Sequence, residues 1–164
     1  MGETLNPGAM NPWVALVLFL ILSFSAAGIG SYFTVSEVPG WYKQLAKPTW
    51  NPPGWVFGPV WSALYTMIGI SAWLVWRKVG LSLEPVWVFF ALQWLFNTLW
   101  SVLFFGWHAP GWALVDISLL WLSILATLVA FFRVTNAAGW LFVPYLLWVS
   151  FALVLNATIW HLNR

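Results

Sequence analysis

Trp41-Tyr42-Lys43-Gln44-Leu45-Ala46-Lys47-Pro48-Thr49-Trp50-Asn51-Pro52-Pro53-Gly54-Trp55, running on through Phe57, Pro59 and Trp61, is the one long polar interval between apolar runs. Lys47-Pro48 and Asn51-Pro52-Pro53 forbid a continuous helix, because proline lacks an N–H and restricts the residue before it. A flexible spacer would be rich in Gly and Ser and would hardly carry Trp41, Trp50, Trp55 and Trp61. Large aromatics beside prolines predict a stiff, self-packed cap. Whatever lies on either side of it sets the fold class.

On both sides lie apolar runs. The chain of 164 residues is 62% hydrophobic and 6% charged, whereas soluble domains carry about 25% charged residues. An all-α integral membrane protein is the result. Cysteine is absent, which excludes disulfides, thiol nucleophiles and thiolate metal sites. A net charge of +2 without any basic run excludes a nucleic-acid partner. Tryptophan belts at the two bilayer edges account for many of the sixteen tryptophans. They do not account for Trp61, Trp94, Trp100, Trp121 and Trp148, which sit inside apolar runs.

Residues 1–12 form a short polar lead (Asn6-Pro7-Gly8, Asn11-Pro12) with no Lys or Arg. A secretory signal would want a positive lead and a shorter apolar core, so the first run is expected to be a retained helix. Five spans of about 20 residues suit a hydrocarbon core: 13–33, 55–76, 85–105, 111–132 and 138–160, with the capping loop at 34–54. Short connections after spans two, three and four force antiparallel neighbours. The expectation is a single membrane domain over 1–164, a five-transmembrane-helix bundle with a structured loop between helices 1 and 2. The end of span one, Ser25-Ala26-Ala27-Gly28-Ile29-Gly30-Ser31, is small on every face and suits close helix packing. Ser31 and Tyr32 are its candidates for lining a ligand.

Five crossings place the chain ends on opposite sides. On the side of the loop fall Lys43, Lys47 and Arg164; on the other fall Arg77, Lys78 and Arg133. With that tie the positive-inside rule does not orient the protein. Parity also places the polar groups of the spans. Trp61 lies about six residues, roughly 9 Å, below the entrance of span two at 1.5 Å per residue. Gln93, Asn97, Asp116 and Asn156 all fall between mid-membrane and the cap. Such residues turn inward or line a cavity, so a pocket is expected beneath the aromatic cap and open towards it. Asp116, Asn97 and Asn156 are each expected to find hydrogen-bond partners on neighbouring helices. His108 and His161 sit near the cap-side surface without a supporting carboxylate, which argues against a metal site.

The chain has no G-x-S-x-G, no H-E-x-x-H and no phosphate loop. A lone buried carboxylate is thin support for hydrolysis. The ligand predicted from the residues is flat, apolar and mostly aromatic, with a few polar contacts.

The loop and the spans after it resemble a known family. Trp41-Tyr42, Leu45-x-Lys47-Pro48-x-Trp50-x-Pro52-Pro53, Trp55-Val56-Phe57-Gly58-Pro59-Val60-Trp61 and Leu64-Tyr65 are similar to the signature of the translocator protein family. Its members are also called tryptophan-rich sensory proteins or peripheral benzodiazepine receptor-like proteins. Gln93-x-x-x-Asn97-x-x-Trp100, Phe104-Phe105-Gly106, Gly111-Trp112-Ala113-Leu114-Val115-Asp116, Pro144-Tyr145-Leu146-Leu147-Trp148 and Leu155-Asn156 with Trp160 carry the likeness over nearly the whole chain.

The resemblance implies a five-helix bundle, often a homodimer, that requires no cofactor. It implies a receptor or regulator that binds porphyrins and related tetrapyrroles, such as protoporphyrin IX or haem, and benzodiazepine- or isoquinoline-type ligands. Transport is open. By the same likeness Trp50, Phe57, Trp61, Asn97, Trp100, Trp112, Trp148 and Ala152 should line or close the pocket. Some bacterial relatives are reported to degrade protoporphyrin in light, which would make Trp61 and Trp148 catalytic. A scaffold acting through protein partners is the third alternative. The likeness fails at the animal sterol motif: Ala157 and Thr158 stand where a Tyr followed by Arg is expected, and Tyr145 has no Lys or Arg within the allowed spacing. The looser pattern Val38…Tyr42…Lys47 lies in the loop. For pairing of two copies, Ala126-x-x-x-Ala130, Ser123-x-x-x-Thr127 and Ala26-x-x-x-Gly30 offer close-approach faces.

Overall fold

Asn11 opens the first helix: its side-chain oxygen accepts from the Trp13 N–H at 2.9 Å, and Pro12 takes the first helical position. In this computed structural model, which describes residues 10–81 and 85–164, helix α1 spans Pro12–Thr34. A four-residue helix α2, Trp41–Gln44, sits within the loop, and a 3₁₀ turn at Gly54–Val56 leads into α3, Phe57–Val79. Gly80, with φ 69°, ends α3 in the left-handed region that glycine tolerates. Helix α4 spans Pro85–Ser101 and passes into a π turn at Val102–Gly106. Helices α5, Pro110–Val134, and α6, Asn136–Leu162, complete the bundle.

Among the described residues five helices are long and apolar enough to cross a bilayer. The protein is a multi-pass integral membrane protein. The expected spans lie within a few residues of the helices, and the loop carries a helical turn. The polar lead of residues 1–9 lies outside the described residues. Pro144 sits inside α6 without ending it.

The helices close a ring in the order α1, α3, α6, α5, α4 and back to α1. Its half remote from the loop is filled with aromatic rings. Phe19 stacks on Trp87 at 5.7 Å, Phe90 on Phe131 at 6.0 Å, and Phe142 meets Phe131 edge-on at 5.1 Å. Close backbone approach completes the packing there. A Cβ on Gly69 would lie 2.8 Å from a Leu20 methyl and 3.1 Å from the Leu20 Cα.

Near the loop the helices part. Two of the three small-residue faces expected to serve a dimer are used inside the bundle instead. Ser123 and Thr127 are buried, and so are Ala26 and Gly30. A Cβ on Gly30 would meet Ser101 Oγ at 2.9 Å. Closing the ring of five helices takes the small residues first. Ala126 and Ala130 remain half-buried.

Candidate ligand-binding site

The parting helices leave a cavity of about 550 Å³, within the range of small-molecule sites. Its walls come from all five long helices. Phe57 and Trp61 of α3, Asn97 and Trp100 of α4, and Trp148 and Ala152 of α6 line it. Ala27, Gly30 and Ser31 contribute from α1, and Ile117 and Leu120 from α5. Val35, Val38, Tyr42, Asn51 and Pro52 of the loop form its cap-side end.

Each aromatic wall is braced. Trp61 stacks on Tyr65 at 5.2 Å, and Trp148 meets Phe57 edge-on at 5.9 Å. The Trp100 indole N–H donates to Asn156 Oδ1 at 2.9 Å, and the Asn156 amide donates to the Pro110 carbonyl at 2.9 Å. That pair ties α4, α6 and the start of α5 together and holds the Trp100 ring. Asn97 serves as a second bridge. The Tyr65 hydroxyl donates to its Oδ1 at 2.8 Å, and its amide donates to the Tyr145 hydroxyl at 2.9 Å.

Side chains of several kinds hold the loop. Glu37 Oε2 lies 2.8 Å from His108 Nε2, and the His108 ring stacks on Trp41 at 4.3 Å. His108 adopts a φ of 50°, unusual outside glycine, to reach this position. A carboxylate therefore does support His108, contrary to the expectation from the sequence. It comes from the loop and ties the loop to the α4–α5 turn. Among the described residues no three His, Asp or Glu side chains gather. Lys47 Nζ donates to the carbonyls of Tyr42 at 2.6 Å and Leu45 at 2.9 Å and lies over the Tyr42 ring. Burial lowers the Lys47 ammonium from its ordinary value. Burial raises the Tyr42 phenol, and its hydrogen bond to Asn51 opposes that rise.

Gln93, Asn97, Asp116 and Asn156 are all buried, because an amide or carboxyl group facing lipid would lose its hydration without return. Only Asn97 and Asn156 reach the large cavity. Gln93 borders a separate void of about 10 Å³ with Ser23 and Asn97. Neither carboxylate oxygen of Asp116 has a hydrogen-bond partner among the described residues, which corrects the expectation of a satisfied group.

Trp50 and Trp112 do not line the cavity. Trp112 stands on the outer face of α5, 69% exposed, and Trp50 packs edge-on against Phe151 at 5.8 Å. Tyr32 is likewise exposed, whereas its neighbour Ser31 lines the cavity. Tyr65 joins the wall, although the sequence reading named it only within the Leu64-Tyr65 motif and not among the pocket residues. It lies four residues after Trp61 on the same helical face, a spacing that was visible.

Residues 11–161 match the TspO/MBR family. The chain belongs to that family. It is 44% identical to "Tryptophan-rich protein TspO" of Chlorobaculum tepidum, over 92% of this chain and 96% of the other. It is 39% identical to the human "Translocator protein", over 93% and 92%. "Protein CrtK" of Rhodobacter capsulatus is 39% identical, over 92% and 95%.

Proposed function

We propose that the cavity binds a flat aromatic ligand of the porphyrin or wider tetrapyrrole class, and that the protein acts as a membrane receptor or regulator for it. Benzodiazepine- and isoquinoline-type compounds are smaller members of the same shape class. The observation that supports this reading is the meeting of Trp61, Trp100 and Trp148, from three helices, on one cavity of about 550 Å³. Stacking on such rings is worth about 1–3 kcal/mol per ring in comparable systems. The test is a titration of the purified protein in lipid nanodiscs with protoporphyrin IX. Saturable quenching of tryptophan fluorescence with a matching shift of the porphyrin band supports it; linear partitioning equal to that of empty nanodiscs overturns it.

A second reading is favoured by the stacking of Trp61 on Tyr65, which sets two oxidisable rings together in the wall. Here the protein consumes porphyrin in light and oxygen. Loss of several porphyrin equivalents per protein under illumination supports it, and loss of no more than one equivalent sinks it. The half-buried Ala126 and Ala130 face is where two copies would pair, and a monomer by light scattering in nanodiscs would count against a homodimer.

A further inference from the structure

Gln93 lies one turn before Asn97 on α4 and shares its helical face. Its side chain is 3% exposed, and its amide has no hydrogen-bond partner among the described residues. An amide buried within a membrane span without a partner is costly. Gln93 borders the separate space of about 10 Å³ where α1, α3 and α4 meet, together with Ser23, Ile68, Trp94 and Asn97. That is room for one water molecule and for nothing larger.

The groups around this space complement a water. Gln93 offers both an amide N–H and a carbonyl oxygen. The Ser23 hydroxyl donates to the Phe19 carbonyl at 2.9 Å, which leaves its oxygen able to accept. Asn97 accepts from Tyr65 and donates to Tyr145, which leaves one amide hydrogen and one lone pair. The Trp94 indole is already engaged by the Leu22 carbonyl at 2.9 Å. A water among Gln93, Ser23 and Asn97 has three partners, the usual number for a buried one. Among the described residues no Asp or Glu borders the space, so a cation there would lack a counter-charge.

Helix α1 is where such a bridge matters. Among the described residues, the hydrogen bonds that reach it from other helices come from the Trp73 and Trp94 indoles and end on its backbone, at Pro12 and Leu22. Ser23 is the one buried polar side chain described on it. We propose that Gln93, Asn97 and Ser23 form a binding site for a single water molecule, which bridges α1 to the Tyr65–Asn97–Tyr145 chain. Four of the five long helices, α1, α3, α4 and α6, then share one buried polar network. The site is independent of what the large cavity takes.

The test uses the full chain in liposomes with its glutamine side-chain amides labelled with nitrogen-15. The sequence has two glutamines, and Gln44, exposed in the loop, is the internal control. Solid-state NMR compares magnetisation transfer to each amide from water and from lipid acyl chains. Gln93 should receive it from water, with a rate that does not change with pH, as befits dipolar transfer from a lodged molecule. At Gln44, where protons exchange with bulk water, the transfer should rise with pH. A Gln93 amide reached from acyl chains alone, or from neither source, overturns the inference. Ser23→Ala should cut the water transfer at Gln93 by about threefold or more, because one of three partners is gone; an unchanged transfer overturns the bridge. Unfolding in a denaturing detergent supplies an independent check through Ser23→Ala, Gln93→Leu and the double variant. Their effects on the unfolding constant should depart from multiplicativity by about threefold, roughly 0.65 kcal/mol, although no direct bond joins the two residues. Strictly additive costs would show that nothing links them. Should a variant fail to fold, the transfer measured on the native chain still decides.

Discussion

Asn163 and Ala46 are joined in both directions: the Ala46 N–H donates to Asn163 Oδ1 at 2.9 Å, and the Asn163 amide donates to the Ala46 carbonyl at 2.9 Å. One side chain at the end of α6 thus replaces the strand partner that this stretch of loop lacks. The same amide also donates to the Ile159 carbonyl at 2.7 Å and so completes the helix end.

Asn163→Ala should therefore release the middle of the loop. Two partly exposed hydrogen bonds are worth about 1–2 kcal/mol together. Amide exchange at Ala46 should quicken by about tenfold, in line with 1.4 kcal/mol per decade, while exchange in α1 stays as it was. Unaltered exchange at Ala46 would show that Lys47 and Trp41 hold the loop alone.

Asn97→Ala should cost more than Tyr65→Phe. The first leaves two buried phenols without a partner, a loss of about 1–3 kcal/mol. The second removes one interhelical bond, which in membranes averages about 0.6 kcal/mol. Unfolding in a denaturing detergent gives both values. Equal costs would mean that the Tyr145 bond contributes nothing.

Gly69→Ala should destabilise the bundle by about 1–3 kcal/mol, because the new methyl meets the backbone of α1 as well as a Leu20 methyl, and the backbone cannot yield as a side chain can. Gly58→Ala is the control. Nothing stands within 4 Å of its Cβ position, and alanine favours a helix by about 0.5–1 kcal/mol over glycine. The two melting shifts should have opposite signs, and two shifts of the same sign would contradict the geometry.

Trp148→Ala should weaken porphyrin binding by roughly 10–100-fold at 1.4 kcal/mol per decade, whereas Trp112→Ala should leave it unchanged. Trp148→Phe keeps an aromatic face and should retain most of the affinity. Fluorescence titration beside melting curves checks all three. A folded Trp148→Ala protein of native affinity would make that ring packing alone.

Alkaline pH should loosen the loop through Tyr42. Burial raises its phenol above the ordinary value of 10.0, so the phenol of the unfolded segment ionises first. Its contribution is complete below pH 10.0 and is lost as the pH climbs through the higher folded value. Lys47 acts with the opposite sign, its ammonium being lowered from 10.5 by burial. The comparison of native and Tyr42→Phe proteins isolates the first effect: melting of the variant should fall less between about pH 10 and 12. Parallel curves would refute it.

The five crossings and the capped architecture were legible because they depend on local quantities. Length and hydropathy of each run decide whether it can span a bilayer, and proline decides where helices stop. The burial of Gln93, Asn97, Asp116 and Asn156 was legible for the same reason, since a polar group in hydrocarbon has only the bundle interior to go to.

What the chain alone leaves open is azimuth and partnership. Trp112 and Trp100 both belong to motifs of the family, yet one faces outward and the other lines the cavity. That difference is a rotation about a helix axis, set by which faces the neighbouring helices cover. The small faces at Ser123 and at Ala26 suited a second copy as well as a neighbouring helix, and ring closure took them inside. Glu37 meeting His108 across 71 positions, and Asn163 meeting Ala46 across 117, leave no periodic trace. Neither contact exists until five helices have closed on one another. The sequence alone determined that this chain crosses a membrane five times beneath an aromatic cap. Only the tertiary structure decided which of its tryptophans share a cavity, because that depends on how each helix is turned against its neighbours.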